Sequence, residues 1–343
     1  TYVMKSNKHV QAALMRRDSA RAYQGYLFRS YLPRVEVFGG GESFYVEGQT
    51  YEPQAFGGVG VKLNLFNGGR DRYRSLIVDQ ESSVSELESN EALLDELKKA
   101  QQSYWNLVYY KEVKKLSSKA LEYNRENLKS ATARVKAGLS TDTDLIEFQL
   151  NDVQLKQNFS QYELLETTEQ RTLAVLLGLP SETALNVVDQ IPAPAQKQWL
   201  EQPFRAGEHR SIKLLGYFEG ISELESKMAS RWWLPSLDLY SEAAQKTYRE
   251  SSNISFSDRL EAVVGMRLSL SLFDGGEGWA RSENQSLLSQ AKRLQLEQSA
   301  RELESQYQTA LSHLKIVYGL YQTAFESSDL SESYYRKTLA EYK

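Results

Sequence analysis

The sequence predicts a mainly α-helical chain with a β component: very long, coiled-coil-like helices and two β-hairpins, four strands per chain. Three observations predict it. A block of strands and turns occurs twice in the same order, a long stretch without proline follows each occurrence, and the apolar period changes from two to heptad spacing at the same two points. The 343 residues carry 41 basic and 45 acidic side chains, a formal net charge of −4 that gives no reason to expect nucleic acid as a partner. With no cysteine there is no disulfide framework, thiolate nucleophile or Cys-ligated metal, and His9, His209 and His313 are scattered without ligand spacing. The longest apolar run, around Leu173 to Leu179, falls far short of the roughly 20 residues of a spanning helix, which excludes a helical membrane protein.

The duplication rests on two ordered blocks. Tyr31-Leu32-Pro33-Arg34-Val35-Glu36-Val37 returns as Trp233-Leu234-Pro235-Ser236-Leu237-Asp238-Leu239, an offset of 202. Val59 to Gly69 returns as Val264 to Gly276 at a final offset of 207, with two residues inserted before the Phe of the shared Phe-Asn/Asp-Gly-Gly. The expected domains are therefore a first structural repeat over 1–202 and a second, incomplete one over 203–343.

Each repeat opens with a helical lead-in, 1–31 and about 205–233, that ends at Leu-Pro because proline cannot continue a helix and its predecessor turns extended. A hairpin follows over about 33–66 and about 235–273. Val35 and Val37 alternate with Arg34 and Glu36; Val59, Val61, Leu63 and Leu65 alternate with Gly60, Lys62 and Asn64. In the second hairpin Leu237, Leu239, Val264, Met266, Leu268, Leu270 and Leu272 alternate with Ser236, Asp238, Gly265, Arg267, Ser269 and Ser271. Asn67 and Asp274 are candidate N-caps for the helices that come next. The first, about 67–137, needs roughly 100 Å at 1.5 Å per residue, a length nothing globular requires. A return helix is expected over about 141–179, a proline-marked linker over 180–202, and a second long helix over about 274–343. Leu145, Phe148, Leu155, Phe159, Tyr162, Leu173 and Leu176 form one heptad-like seam, and Leu296, Ala300, Leu303, Tyr307, Ala310, Leu314, Val317 and Tyr321 another.

Four strands cannot close a barrel, and an open sheet with one apolar face must bury that face. Strands from further copies of the chain would remove the edges: two copies give eight strands and a filled interior, three give twelve and room for a passage. On that reading the shared transmembrane β-barrel has Arg34, Glu36, Lys62, Asn64, Asp238, Arg267 and Ser269 in its lumen and Val61, Leu63, Leu268 and Leu270 toward lipid. Tyr31, Trp232 and Trp233 sit where a membrane-interface girdle belongs. The competing arrangement is a soluble β-sandwich packed under the helices.

At this point the sequence resembles the TolC-type outer-membrane efflux and export channel family. The resemblance is carried by Leu65-Phe66-Asn67-Gly68-Gly69-Arg70 and Leu272-Phe273-Asp274-Gly275-Gly276, by the run from Arg134 through Gly138 to Glu147, and by Leu173-Ala174-Val175-Leu176-Leu177-Gly178-Leu179-Pro180. It implies a homotrimer in which a twelve-stranded barrel continues as an α-helical barrel into the periplasm. It further implies a passive exit duct of a tripartite efflux pump or type I secretion system, with a periplasmic adaptor (membrane fusion) protein and an inner-membrane pump or ABC transporter as partners, alongside the lipid bilayer. Relatives have more helix at the amino end, sometimes beginning at a lipid-modified Cys, and a second tip beyond the point where this sequence stops. Residues 180–202 would belong to a belt around the helical barrel.

Gly138, Ser140, Asp142, Asp144 and Glu147 are the expected periplasmic tip and adaptor contact. The acids have two readings, a complement to the helix dipole with Ser140 or Thr141 as cap, and a threefold ring favouring cations. No catalytic, cofactor or metal site is expected: the acids have no pocket or apolar wall to raise a pKa, Met4, Met15, Met228 and Met266 are dispersed, and no phosphate-binding Gly-rich loop occurs. The alternative function is a structural coiled-coil scaffold or tether of the cell envelope with no conducting lumen.

Overall fold

The computed structural model describes residues 5–44, 52–187, 191, 204–249 and 256–341; the expected hairpin tips over 45–51 and 250–255, most of the linker, and residues 342–343 lie outside these. The elements run α1 (Lys8–Ala22), α2 (Tyr26–Ser30), β1 (Arg34–Phe44), β2 (Glu52–Asn67), α3 (Arg70–Lys136) and α4 (Asp142–Leu176). After a 3-10 turn at Ala206–Glu208 come α5 (Arg210–Ala229), β3 (Ser236–Arg249), β4 (Phe256–Ser269) and α6 (Glu277–Glu341). The first lead-in differs from the single helix expected, because Gly25 at φ 77° separates α1 from α2. Strands β1 and β3 each begin at the residue after a Leu-Pro proline.

The chain divides into two compact units, one of residues 17–87 and 205–306, the other of 1–16, 88–204 and 307–343. The first unit holds a four-stranded antiparallel sheet in the order β1-β2-β3-β4. Its registers place Arg34 opposite Lys62, Lys62 opposite Tyr240, and Asp238 between Asn64 and Arg267. Beside the sheet, Ile77 and Val78 of α3 and Ile212 of α5 are buried, and Gln24 Nε2 donates to Ser82 Oγ at 2.9 Å.

Two details of the sheet depart from the alternation read in the sequence. The β2–β3 register shifts between Asn64 and Phe66, so Leu65 is a bulge and Phe66, not Leu65, takes the apolar position opposite Leu237. Strand β4 ends at Ser269, the partner of Ser236, so Leu270 lies one residue past the strand and Leu272 further on. The reason is Pro235: it has no N–H to donate, β3 starts only after it, and among the described residues no strand pairs with residues 270–273.

In the second unit α3 and α4 run antiparallel. Asn151 Nδ2 donates to Asn124 Oδ1 at 2.8 Å, Lys114 pairs with Glu163 and Glu166 at 3.2 and 3.0 Å, and Ser103 Oγ donates to Glu169 Oε2 at 2.7 Å. The core gathers Val10, Ala100, Leu107, Val108, Leu173 and Val187. Val187 belongs to the first stretch of the expected linker, and its carbonyl accepts from Lys111 Nζ at 2.6 Å, so this stretch packs onto the helices in an irregular conformation. At the open end of the α4 seam, Leu145, Phe148, Leu155 and Phe159 are half-buried.

Candidate functional site

The polar face of the sheet and the strand-to-helix junction at its base form the candidate site. Strand alternation and register put Arg34, Glu36, Lys62, Asn64, Asp238, Arg267 and Ser269 on one face, with Tyr240 and Glu242 among them. Val35, Val37, Val61, Leu63, Leu237, Leu239, Met266 and Leu268 occupy the other. On that apolar face Val35, Val37, Met266 and Leu268 are 66–82% exposed, an arrangement that leaves a hydrophobic sheet surface without cover.

On the polar face Lys62 Nζ pairs with Asp238 Oδ2 at 3.0 Å. The Tyr240 ring fills the space over Gly265 and carries the Arg267 guanidinium at 5.0 Å from its centroid. At the base, a cavity of about 300 Å³ is lined by Tyr26, Ser30, Arg34, Lys62, Asn67 and Asp71, among others. Asp71, only 5% exposed, accepts from Asn64 Nδ2 at 2.8 Å and from Asn67 Nδ2 at 3.3 Å. Helix α3 begins at Arg70, so Asn67, a candidate cap in the sequence, stands before the cap position, and its amide serves Asp71 instead. In the second junction the equivalent Asp274 does accept from a backbone amide, that of Gly278, at 2.8 Å.

The turn from sheet to helix is made by glycine pairs. Gly68 and Gly69 have φ of 60° and 71°, and Gly275 and Gly276 of 75° and 87°, a region costly for residues bearing a Cβ. At Gly68 an added Cβ would also lie 2.9 Å from Leu234 Cβ, so the first copy's Gly-Gly packs against the second copy's Leu-Pro.

Of the expected girdle, Tyr31 and Trp233 are 43% and 56% exposed; Trp232 is half-buried and meets Trp279 edge-to-face at 5.7 Å. At the far end of α3, Gly138 has φ 72°, and the amides of Gly138 and Leu139 donate to the carbonyls of Val135 and Arg134 at 3.0 and 2.9 Å. This is a Schellman closure of the helix. Asp142 opens α4, Asp142 and Glu147 are exposed, Ser140 and Thr141 lie in the five-residue connection, and the Asp144 side chain lies outside the described ones. The tip residues and the sheet residues belong to different units.

Sequence reasoning missed Asp71, Tyr26 and Ser30. An acid in the first turn of a helix is so commonly a dipole complement that Asp71 gives no sign of serving two strand-end amides. Among the described residues no helix is long and apolar enough to cross a membrane, and no group of side chains could hold a metal ion.

The fold thus joins a sheet with one polar and one exposed apolar face, through glycine turns, to helices of 67 and 65 residues. The sequence model of the outer membrane efflux protein family matches residues 3–179, more than half of the chain, and the chain belongs to that family. It is thus an outer-membrane efflux channel protein, extending into the periplasm, of a family of channels and not of enzymes. The fold is similar to that of the outer membrane protein VceC from Vibrio cholerae, with a TM-score of 0.70 and 13% identity over 88% of this chain and 74% of that one. It is also similar to the Campylobacter jejuni CmeC outer membrane channel, with TM-score 0.69 and 17% identity over 90% and 68%. For the Neisseria gonorrhoeae MtrE outer membrane channel the values are 0.69 and 16% over 91% and 71%. No curated protein matches the chain at the sequence level.

Proposed function

We propose that three copies of the chain join their sheets into one twelve-stranded transmembrane barrel and act as a passive exit duct of a tripartite export assembly. The carrying observation is the open sheet: among the described residues β1 and β4 are unpaired on their outer sides, and the apolar face is exposed. Pairing β4 of one copy with β1 of the next removes every edge. The polar row, from Arg34 and Glu36 to Arg267 and Ser269, then lines the lumen, and Val61, Leu63 and Leu268 face lipid. Leu270, past the end of β4, is in line to extend that strand against a neighbouring copy. Tyr31, Trp232 and Trp233 mark the membrane interface. The two halves, 1–202 and 203–343, act as structural repeats that each contribute one hairpin and one long helix.

The Gly138 turn, Ser140, Asp142, Asp144 and Glu147 meet a periplasmic adaptor protein, and an inner-membrane pump or ABC transporter supplies the energy. The cargo is a small molecule or a protein. Cysteines placed on β1 and β4 test the assembly without interference, since the chain has none of its own. Bifunctional thiol reagents should trap trimers from membranes; monomers and dimers alone would contradict the proposal.

A further inference from the structure

A second cavity, of about 250 Å³, lies beside the same strand-to-helix junction, among the start of α3, the end of α5 and the start of α6. We propose that it binds the zwitterionic headgroup of an aminophospholipid, with the phosphate on Arg70 and Arg281 and the ammonium on Glu225; this rests on the reading that the sheet is in the membrane. Its walls combine two guanidinium groups and one carboxylate with the apolar surfaces of Met228 and Trp232. That is the donor set of a phosphate and an ammonium held a few atoms apart, not of a single ion.

The charged groups are available. Among the described residues Arg70 uses only its Nε, donating to the Asn67 carbonyl at 3.1 Å, which leaves the outer nitrogens of its fork for a phosphate oxygen pair. Arg281 pairs with Glu277 at 3.0 Å through Nη2, but with the two side chains 61% and 67% exposed this i,i+4 pair is weak and easily exchanged. Glu225 is half-buried and has no hydrogen bond or ion pair among the described residues. A half-buried carboxylate without a partner beside two guanidinium groups favours a ligand that brings its own cation.

Place and size point the same way. The cavity stands where the apolar strands end, next to the edge-to-face pair Trp232–Trp279, whose Trp279 is 63% exposed. Indole rings and basic pockets at that level meet lipid headgroups. The volume falls below the roughly 300–1,000 Å³ of sites for drug-sized ligands, which disfavours a transported solute and suits a headgroup.

The test is native mass spectrometry of the detergent-purified channel with short-chain phosphatidylethanolamine, phosphatidylcholine and phosphatidylglycerol, and with free phosphoethanolamine and inorganic phosphate. Wild type should retain phosphatidylethanolamine over the other two lipids by on the order of tenfold, the factor that one strong charge-assisted contact supplies. Glu225→Gln, which keeps the side chain's shape, should abolish that preference while phosphatidylglycerol binding is kept or rises. Arg70→Gln with Arg281→Gln should weaken all three lipids. Equal retention of the three lipids by wild type, an unchanged preference in Glu225→Gln, or displacement of the lipid by inorganic phosphate as readily as by phosphoethanolamine would overturn the proposal. Because the measurement needs no bilayer insertion, failure here is distinct from failure of the channel reading, which shows as absent conductance.

Discussion

Asp71 joins the end of β2 to the beginning of α3 more directly than any other residue. Its buried carboxylate accepts from Asn64 and Asn67, both on the strand, on either side of the Leu65 bulge. Asp71→Ala leaves both amides without their acceptor and should destabilise the chain by about 1–3 kcal/mol, read as a lower unfolding midpoint. Ser75→Ala, on the same helix but outside this network, should change it by less than about 0.5 kcal/mol. What was legible at this scale was residue type against local geometry: the glycine pairs at the junctions and Gly138 at the helix reversal announce positive φ. What was not legible was the partner of a polar side chain. Asn67 and Asp274 occupy matching positions, yet one donates to a carboxylate and the other accepts from an amide. The difference follows from residue 71 being Asp where the matching position is Gly278, a consequence of one residue four positions further along the chain.

A second cluster makes a prediction about pH. Asn7 caps α1, accepting from the His9 amide at 2.8 Å, and donates to Glu96 Oε2 at 2.8 Å and to the Leu176 carbonyl at 3.0 Å, tying α1 and α4 to α3. The hydrogen bond from Lys99 holds the Glu96 carboxyl below its ordinary range, opposed by burial and aided by Asn7. A carboxyl lowered in the folded state stabilises fully above its unfolded value and loses that contribution as pH falls through the folded one. Denaturant midpoints measured from about pH 6 to about pH 3, spanning the ordinary glutamate value of about 4.3, should therefore fall less steeply in Glu96→Gln than in wild type. Identical acid limbs would show that Glu96 plays no part in holding these helices.

Among the elements, the strands were the most legible, because period-2 alternation survives any detail of register and put all seven named polar residues on one face. The bulge at Leu65 and the early end of β4 were not, since both are set by the neighbouring strand: a bulge is a mismatch between two strands, and β4 stops where Pro235 stops β3. On the proposed barrel, Leu268→Arg carries a charge to the lipid face and should cost about 2–4 kcal/mol near the midplane, whereas Ser269→Arg, on the opposite face, should be tolerated. Heat-modified mobility of the assembled protein on gels reads the difference. Equal loss in both variants would contradict the assignment of faces. The long helices were legible from missing prolines and heptad spacing, to within a few residues at each end. On α6 the seam was legible as sequence; Leu296, Ala300, Leu303, Tyr307 and Leu314 are half-buried in one chain, while Val317 and Tyr321 are each 44% exposed.

For the whole molecule, an exposed apolar sheet face, two strand edges unpaired among the described residues and exposed apolar side chains toward the end of the α6 seam mean that one chain leaves part of its surface unsatisfied. Folding and assembly are then a single equilibrium, and folded monomer should be scarce in detergent at micromolar concentration. Sedimentation in density-matched detergent reads this directly, and a well-populated folded monomer would count against the barrel. Fold class and membrane were legible in the sequence because repeated two-faced strands ask for both lipid and water. The number of copies was not, because strand counting allows eight strands as readily as twelve, and only the resemblance chose between them.

A water-filled passage through the outer membrane would show in single-channel recording from the purified protein in a planar lipid bilayer. With single cysteines introduced at Ser269 or at Leu268 into the cysteine-free chain, the protein should give discrete conductance steps. A charged, water-soluble thiol reagent should then alter the step for the Ser269 variant and leave that of the Leu268 variant unchanged. Absence of steps, or equal sensitivity at the two positions, would contradict it.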